Sequence, residues 1–301
     1  MVMIQEKSST PESIPSWKRL QMNLASGAIA GGSTAVLFHP WDRALYTSVK
    51  HDRPFLDRAN FTTPYRGVTQ AVIQRTLSSG LYFFMQKEIK EAIYRALPHP
   101  FPNRDSVAQF STGLLAGSFC GIITNPISAA KYYSWGSHSS FSQSTQIMWK
   151  QGGYKPFIIG MRATVIRDGL YGCFYEFTRS LLSDLELFNR LPFDPAPIQF
   201  TCNLLAAAGA TVLSSPINYA RVKQFSTPLG EAEPSIVKTL VALCHESKSE
   251  AKSVLGRAHF FYNRLKIGSG TARTAVGMAV GQGCFDVVNQ YLTPHRSGPQ
   301  K

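Results

Sequence analysis

The chain has 301 residues, 44% of them hydrophobic, and a formal net charge of +13. No zinc-finger spacing, RNP stretch or basic helix accompanies that charge, so nucleic acid is excluded and a small anion or an anionic lipid is the expected partner. The five cysteines are scattered and never spaced CxxC, and the seven histidines are dispersed, so no disulfide framework, metal site or catalytic constellation is expected, and no enzyme.

The first 16 residues are polar and lack the basic and apolar regions of a signal peptide. They are expected to be a disordered tail, as are residues 295–301. Three stretches without Asp, Glu, Lys or Arg follow, at 20–41, 106–130 and 195–220. Each is long enough to cross a bilayer at about 1.5 Å per residue. Each carries a proline near its C-terminal end: Pro40, Pro126 and Pro216, at spacings of 126 − 40 = 86 and 216 − 126 = 90. A recurrence at that period reads as three similar units, 17–98, 103–192 and 195–294. Each unit is an uncharged helix, a proline that kinks it, a polar loop and a second helix.

The first helices carry small residues in phase. Gly31, Gly117 and Ala207 stand nine residues before the proline, and Ala35, Gly121 and Thr211 five before; Gly27 and Gly113 extend the series. A spacing of four puts them on one face, where membrane helices approach closely. The second helices are less apolar and rich in Gly and aromatics, as in Gly169-Leu-Tyr-Gly-Cys-Phe-Tyr. That composition suits the wall of a water-filled cavity. The loop 131–162 has four bases and no acid, whereas 176–194 has two bases and four acids, which puts the loops within units on the inner side.

Three units, each closed by a proline-charge motif, resemble the mitochondrial carrier family over nearly the whole chain. The family motif Pro-x-Asp/Glu-x-x-Lys/Arg is found as Pro40-Trp-Asp42-Arg-Ala-Leu45, Pro126-Ile-Ser128-Ala-Ala-Lys131 and Pro216-Ile-Asn218-Tyr-Ala-Arg221, none of them complete. The resemblance implies an all-α membrane protein with six transmembrane helices in three pseudo-threefold two-helix repeats. It also implies an inner gate in which Asp42 meets Lys131, Ser128 meets Arg221, and Asn218 faces Leu45. The family's aromatic-acid-x-x-base motif on the second helices implies an outer gate of Lys90 with Asp286 and Glu176 with Asn289, with Arg179 beside them. Counting twelve residues back from those aromatic positions implies substrate contacts at Gln74 and Arg75, Ala163 and Thr164, and Arg273 and Thr274, with Arg167 a further candidate.

Two arginines on opposing walls with a small residue between them are similar to the family's nucleotide carriers. The resemblance therefore implies a monomeric transporter that moves a nucleotide or similar phosphorylated anion by alternating access, as an exchanger. A carboxylate or amino-acid carrier is the alternative, and a non-transporting receptor or adaptor a further one. The implied location is the mitochondrial inner membrane, with peroxisome, plastid and outer mitochondrial membrane as other homes of the family. No cofactor is expected. Cardiolipin is the implied structural lipid, at the turns Tyr65-Arg66-Gly67 and Tyr154-Lys155-Pro156.

Overall fold

The computed structural model describes residues 16–97, 104–137, 139–184 and 195–292. The expected tails lie outside them, except Ser16, which opens the first helix. Every regular element among the described residues is helical. The long helices are α1 (Ser16–Lys50), α2 (Val68–Ala96), α3 (Arg104–Gly136), α6 (Met161–Asp184), α7 (Pro195–Phe225) and α10 (Ile267–Leu292). Short helices fill the loops: a 3-10 turn Arg58–Phe61, α4 (Phe141–Gly152), α5 (Lys155–Ile158), α8 (Ile236–Glu250) and α9 (Val254–Arg264). Ser140 and Gln143 start α4 with a capping box, and the Ser253 hydroxyl accepts from the Gly256 amide to start α9.

The long helices pack in a closed ring: α1 on α2, α2 on α3, α3 on α6, α6 on α7, α7 on α10 and α10 on α1. Pro40, Pro126 and Pro216 lie inside α1, α3 and α7, where each removes a backbone donor. The small-residue faces make the contacts between α1 and α2 and between α3 and α6. A Cβ on Gly113 would collide with the backbone of Gly172, one on Gly117 with that of Asp168, and one on Gly31 with the Ser79 hydroxyl. Among the described residues, two helices, Asp105–Gly136 and Pro197–Phe225, are long and apolar enough to cross a membrane by length and composition alone.

The buried core lies at one end of the ring, where the C-terminal halves of α1, α3 and α7 converge. It is built from Tyr46 and Val49, Tyr132 and Trp135, and Tyr219, Val222 and Phe225, with Met148 of α4 and Leu243 of α8 beneath. These positions share a register. Tyr46, Tyr132 and Val222 stand six residues after their prolines (40 + 6, 126 + 6, 216 + 6), and Val49, Trp135 and Phe225 nine after. Tyr132 is at the centre, with ring centroids 4.7 Å from Tyr46, 5.1 Å from Trp135 and 4.6 Å from Phe225. His39 is buried beside this core; its Nε2 is 2.8 Å from the Arg66 carbonyl, and its ring meets Trp135 edge-on.

Candidate functional site

A residue with left-handed backbone precedes each even helix: Gly67 (φ 76°) before α2, Gly160 (φ 70°) before α6 and Lys266 (φ 55°) before α10. They set a common register. Gln74, Arg167 and Arg273 are seven residues on (67 + 7, 160 + 7, 266 + 7), and Arg75, Asp168 and Thr274 eight on. A lysine in this conformation costs about 1–2 kcal/mol that glycine avoids. The Lys266 ammonium donates to the Arg53 carbonyl at 2.7 Å, which offsets part of that cost. Burial, with Arg264 nearby, lowers its pKa below the usual lysine range.

This register brings three arginines together inside the ring. Arg273 of α10 holds Asp42 of α1 bidentately, Nε to Oδ1 at 2.6 Å and Nη2 to Oδ2 at 2.7 Å. Arg167 of α6 pairs with its neighbour Asp168 at 2.6 Å and lies over the Tyr171 ring. Arg75 of α2 is solvent-accessible and makes no ion pair or hydrogen bond among the described residues. Its guanidinium interacts electrostatically with Arg273, Asp42 and Arg167, which belong to three other helices, so these four charges share one region inside the ring. Ala163 and Thr164, expected to face the same space, are instead 0% and 1% exposed. The Thr164 hydroxyl is bonded to Asn125 of α3 at 2.8 Å, within the helix interface. Arg167, one turn further along, is the α6 residue on the lumen face. Thr274 accepts from the Thr211 hydroxyl at 3.3 Å, tying α10 to α7.

At the proline end, the expected pair of Asp42 with Lys131 is absent, because Arg273 occupies both carboxylate oxygens. Lys131 donates to the Gln74 side chain at 2.5 Å, and Gln74 in turn donates to Ser128 at 2.6 Å. Arg221 does not meet Ser128; it donates to Asn218 at 3.0 Å and to the Tyr132 hydroxyl at 3.3 Å. Both cations rest on aromatic faces, Lys131 on Tyr132 and Trp135, Arg221 on Tyr132 and Phe225. With only one acid among the three motifs, ring faces and amides take the place of carboxylates. The large apolar residues at six and nine positions after each proline, four of the six aromatic (Tyr46, Tyr132, Trp135 and Phe225), are the signal for this closure that motif matching passes over.

At the opposite end Glu176, 4% exposed, accepts from Gln86 at 2.7 Å and Tyr82 at 3.2 Å, both on α2, and from Arg179 at 2.8 Å. The α2 and α6 helices are not ring neighbours, so this cluster bridges the lumen. The expected pairs of Lys90 with Asp286 and of Glu176 with Asn289 involve side chains outside the described part of α10. Lys90 itself is exposed, 6.0 Å from the Tyr94 ring centroid.

The two turns expected to hold lipid differ. A cavity of about 470 Å³ opens between the starts of α2 and α4, lined by Arg66, Gly67, Val68, Ser139 and Ser140. At the start of α6 the Gly160 amide already donates to the Glu233 carboxylate at 2.8 Å, so an internal anion occupies that position.

No family model matches the chain. A mitochondrial glycine transporter of Eremothecium gossypii is 25% identical over 69% of this chain and 80% of its own length. The mitochondrial glycine transporter of Mus musculus is 25% identical over 70% of this chain and 72% of its own. The mitochondrial FAD carrier protein FLX1 of Saccharomyces cerevisiae is 25% identical over 52% of this chain. The chain is thus similar, at about 25% identity, to proteins named as mitochondrial carriers and transporters.

Proposed function

We propose that this protein is a carrier-type transporter of the mitochondrial inner membrane, and that its substrate is a small amino acid or carboxylate. The ring is read as six membrane-spanning helices in three repeats, 17–98, 103–192 and 195–294. The mitochondrial names of its relatives support the location, and their glycine substrates support the substrate class over the nucleotide expected from the two opposed arginines.

The observation that carries the substrate class is the lumenal cluster. Two of its arginines are already matched by Asp42 and Asp168, which leaves Arg75 as the open guanidinium. A phosphorylated anion would find two carboxylates in its way. A carboxylate finds Arg75, and an ammonium group on the same small molecule finds Asp42 and Asp168. Binding that weakens the Asp42–Arg273 pair would shift the ring towards the state open at the proline end, because a ligand shifts a population only through differential affinity. The cavity at the start of α2, where Gly67 leaves helix amides uncapped, is proposed to hold cardiolipin.

The test is uptake of labelled glycine into cardiolipin-containing vesicles, empty or preloaded, beside the Arg75→Ala variant. Uptake that the variant loses is the expected result; dependence on preloading assigns exchange. Uptake of ATP or FAD in place of glycine would overturn the substrate class. Failure across amino acids, carboxylates and nucleotides would replace the transporter with the adaptor.

A further inference from the structure

The loops joining odd to even helices differ in length. In the second repeat 160 − 152 = 8 residues separate α4 from α6; in the third 266 − 250 = 16 separate α8 from α10. The second junction holds only the four-residue α5, and the third holds the 11-residue α9.

One side of α9 is fixed to the protein. Phe260, Phe261 and Leu265 pack on the core, and Arg264 pairs with Asp52 and Glu246. The other side is bare: Val254 and Leu255 are 83% and 81% exposed, and Tyr262 is exposed with them. Leu255 and Tyr262, seven residues apart, share a face with the exposed Ala258 between them. Residues 251–266 contain Lys252, Arg257, Arg264 and Lys266 and no acid. Arg264 and Lys266 are engaged with other parts of the protein, whereas the exposed Lys252 and the half-buried Arg257, whose Nε donates to the nearby Ala251 carbonyl at 3.1 Å, flank the bare pair.

We propose that this face of α9 lies in the surface of an anionic bilayer and anchors the third repeat there. Adjacent leucine and valine side chains left in water are unfavourable, and a basic, amphipathic helix beside the start of a spanning helix is placed to bury them among headgroups. The proposal rests on the reading of the ring as membrane-spanning, and its test separates the two.

The full chain, with Cys244 and Cys284 replaced by serine, is given one new cysteine for a fluorescent probe: Leu255→Cys, or Leu213→Cys on the exposed face of α7 as control. Each protein is placed in vesicles containing brominated lipid, with or without cardiolipin. The expected result is quenching of both probes, with that at position 255 stronger in cardiolipin and weakened by Lys252→Glu. A quenched probe at 213 beside one at 255 that only aqueous iodide quenches would overturn the inference and leave α9 to a protein partner. Quenching at 255 indifferent to cardiolipin and to Lys252 would overturn its electrostatic half. No quenching at 213 would overturn the spanning reading, and this inference with it.

Discussion

The two ends of the ring are closed by different chemistry. At the proline end the contacts across the lumen are aromatic, with Tyr132 of α3 meeting Tyr46 of α1 and Phe225 of α7. At the other end they are polar, with Glu176 of α6 taking hydrogen bonds from Tyr82 and Gln86 of α2. Apolar layers need no matched partners and tolerate the missing acids at Ser128 and Asn218. A buried carboxylate tolerates no such loss, since each donor it leaves behind is stranded. Among the described residues, resistance to opening lies in packed area at one end and centres on the buried Glu176 at the other.

The largest expected effect comes from breaking the apolar layers. Tyr132→Ala removes three ring contacts at once and should destabilise the protein by about 3–5 kcal/mol, the range for buried aromatic truncation. A thermal shift no larger than that of a surface substitution would show that the proline end is not held by packing. An intermediate effect is expected from Glu176→Ala, which removes the buried acceptor shared by Gln86, Tyr82 and Arg179 and should cost about 2–3 kcal/mol. Glu176→Gln preserves shape and should recover roughly half of that in the same thermal assay. The smallest effect is expected at the rim of the proline end, where Lys223 and Arg264 pair with the partly exposed Asp52. Asp52→Asn should cost under about 1 kcal/mol, and less as salt is raised. A larger, salt-sensitive loss would move the seat of closure from the aromatic layers to the rim ion pairs.

The three prolines and the small residues before them were legible because helix packing repeats with the chain. Gly113 and Gly117 meet α6 as their phase requires. The aromatic layers were less legible, because a motif built on charge directs attention to Ser128 and Asn218 and not to Tyr132, Trp135 and Phe225. The α6 contact positions shifted by one turn because counting back from Tyr175 assumes that equivalent helices are equally long on either side of the lumen. The left-handed residues Gly67, Gly160 and Lys266 supply a register that needs no such assumption, but a lysine in that role gives no sequence signal. The short helices α8 and α9 were hidden by their polarity.

The hydrogen bond from the Gly160 amide to Glu233 spans 73 residues of chain and joins the start of α6 to the segment between α7 and α8. During synthesis the first turn of α6 therefore emerges without its cap. It waits, at the usual elongation rates of about 5–20 residues per second, for several seconds until Glu233 has been made. The start of α6 is completed only once the segment between α7 and α8 has been made, and a chain truncated before residue 233 would lack that bond.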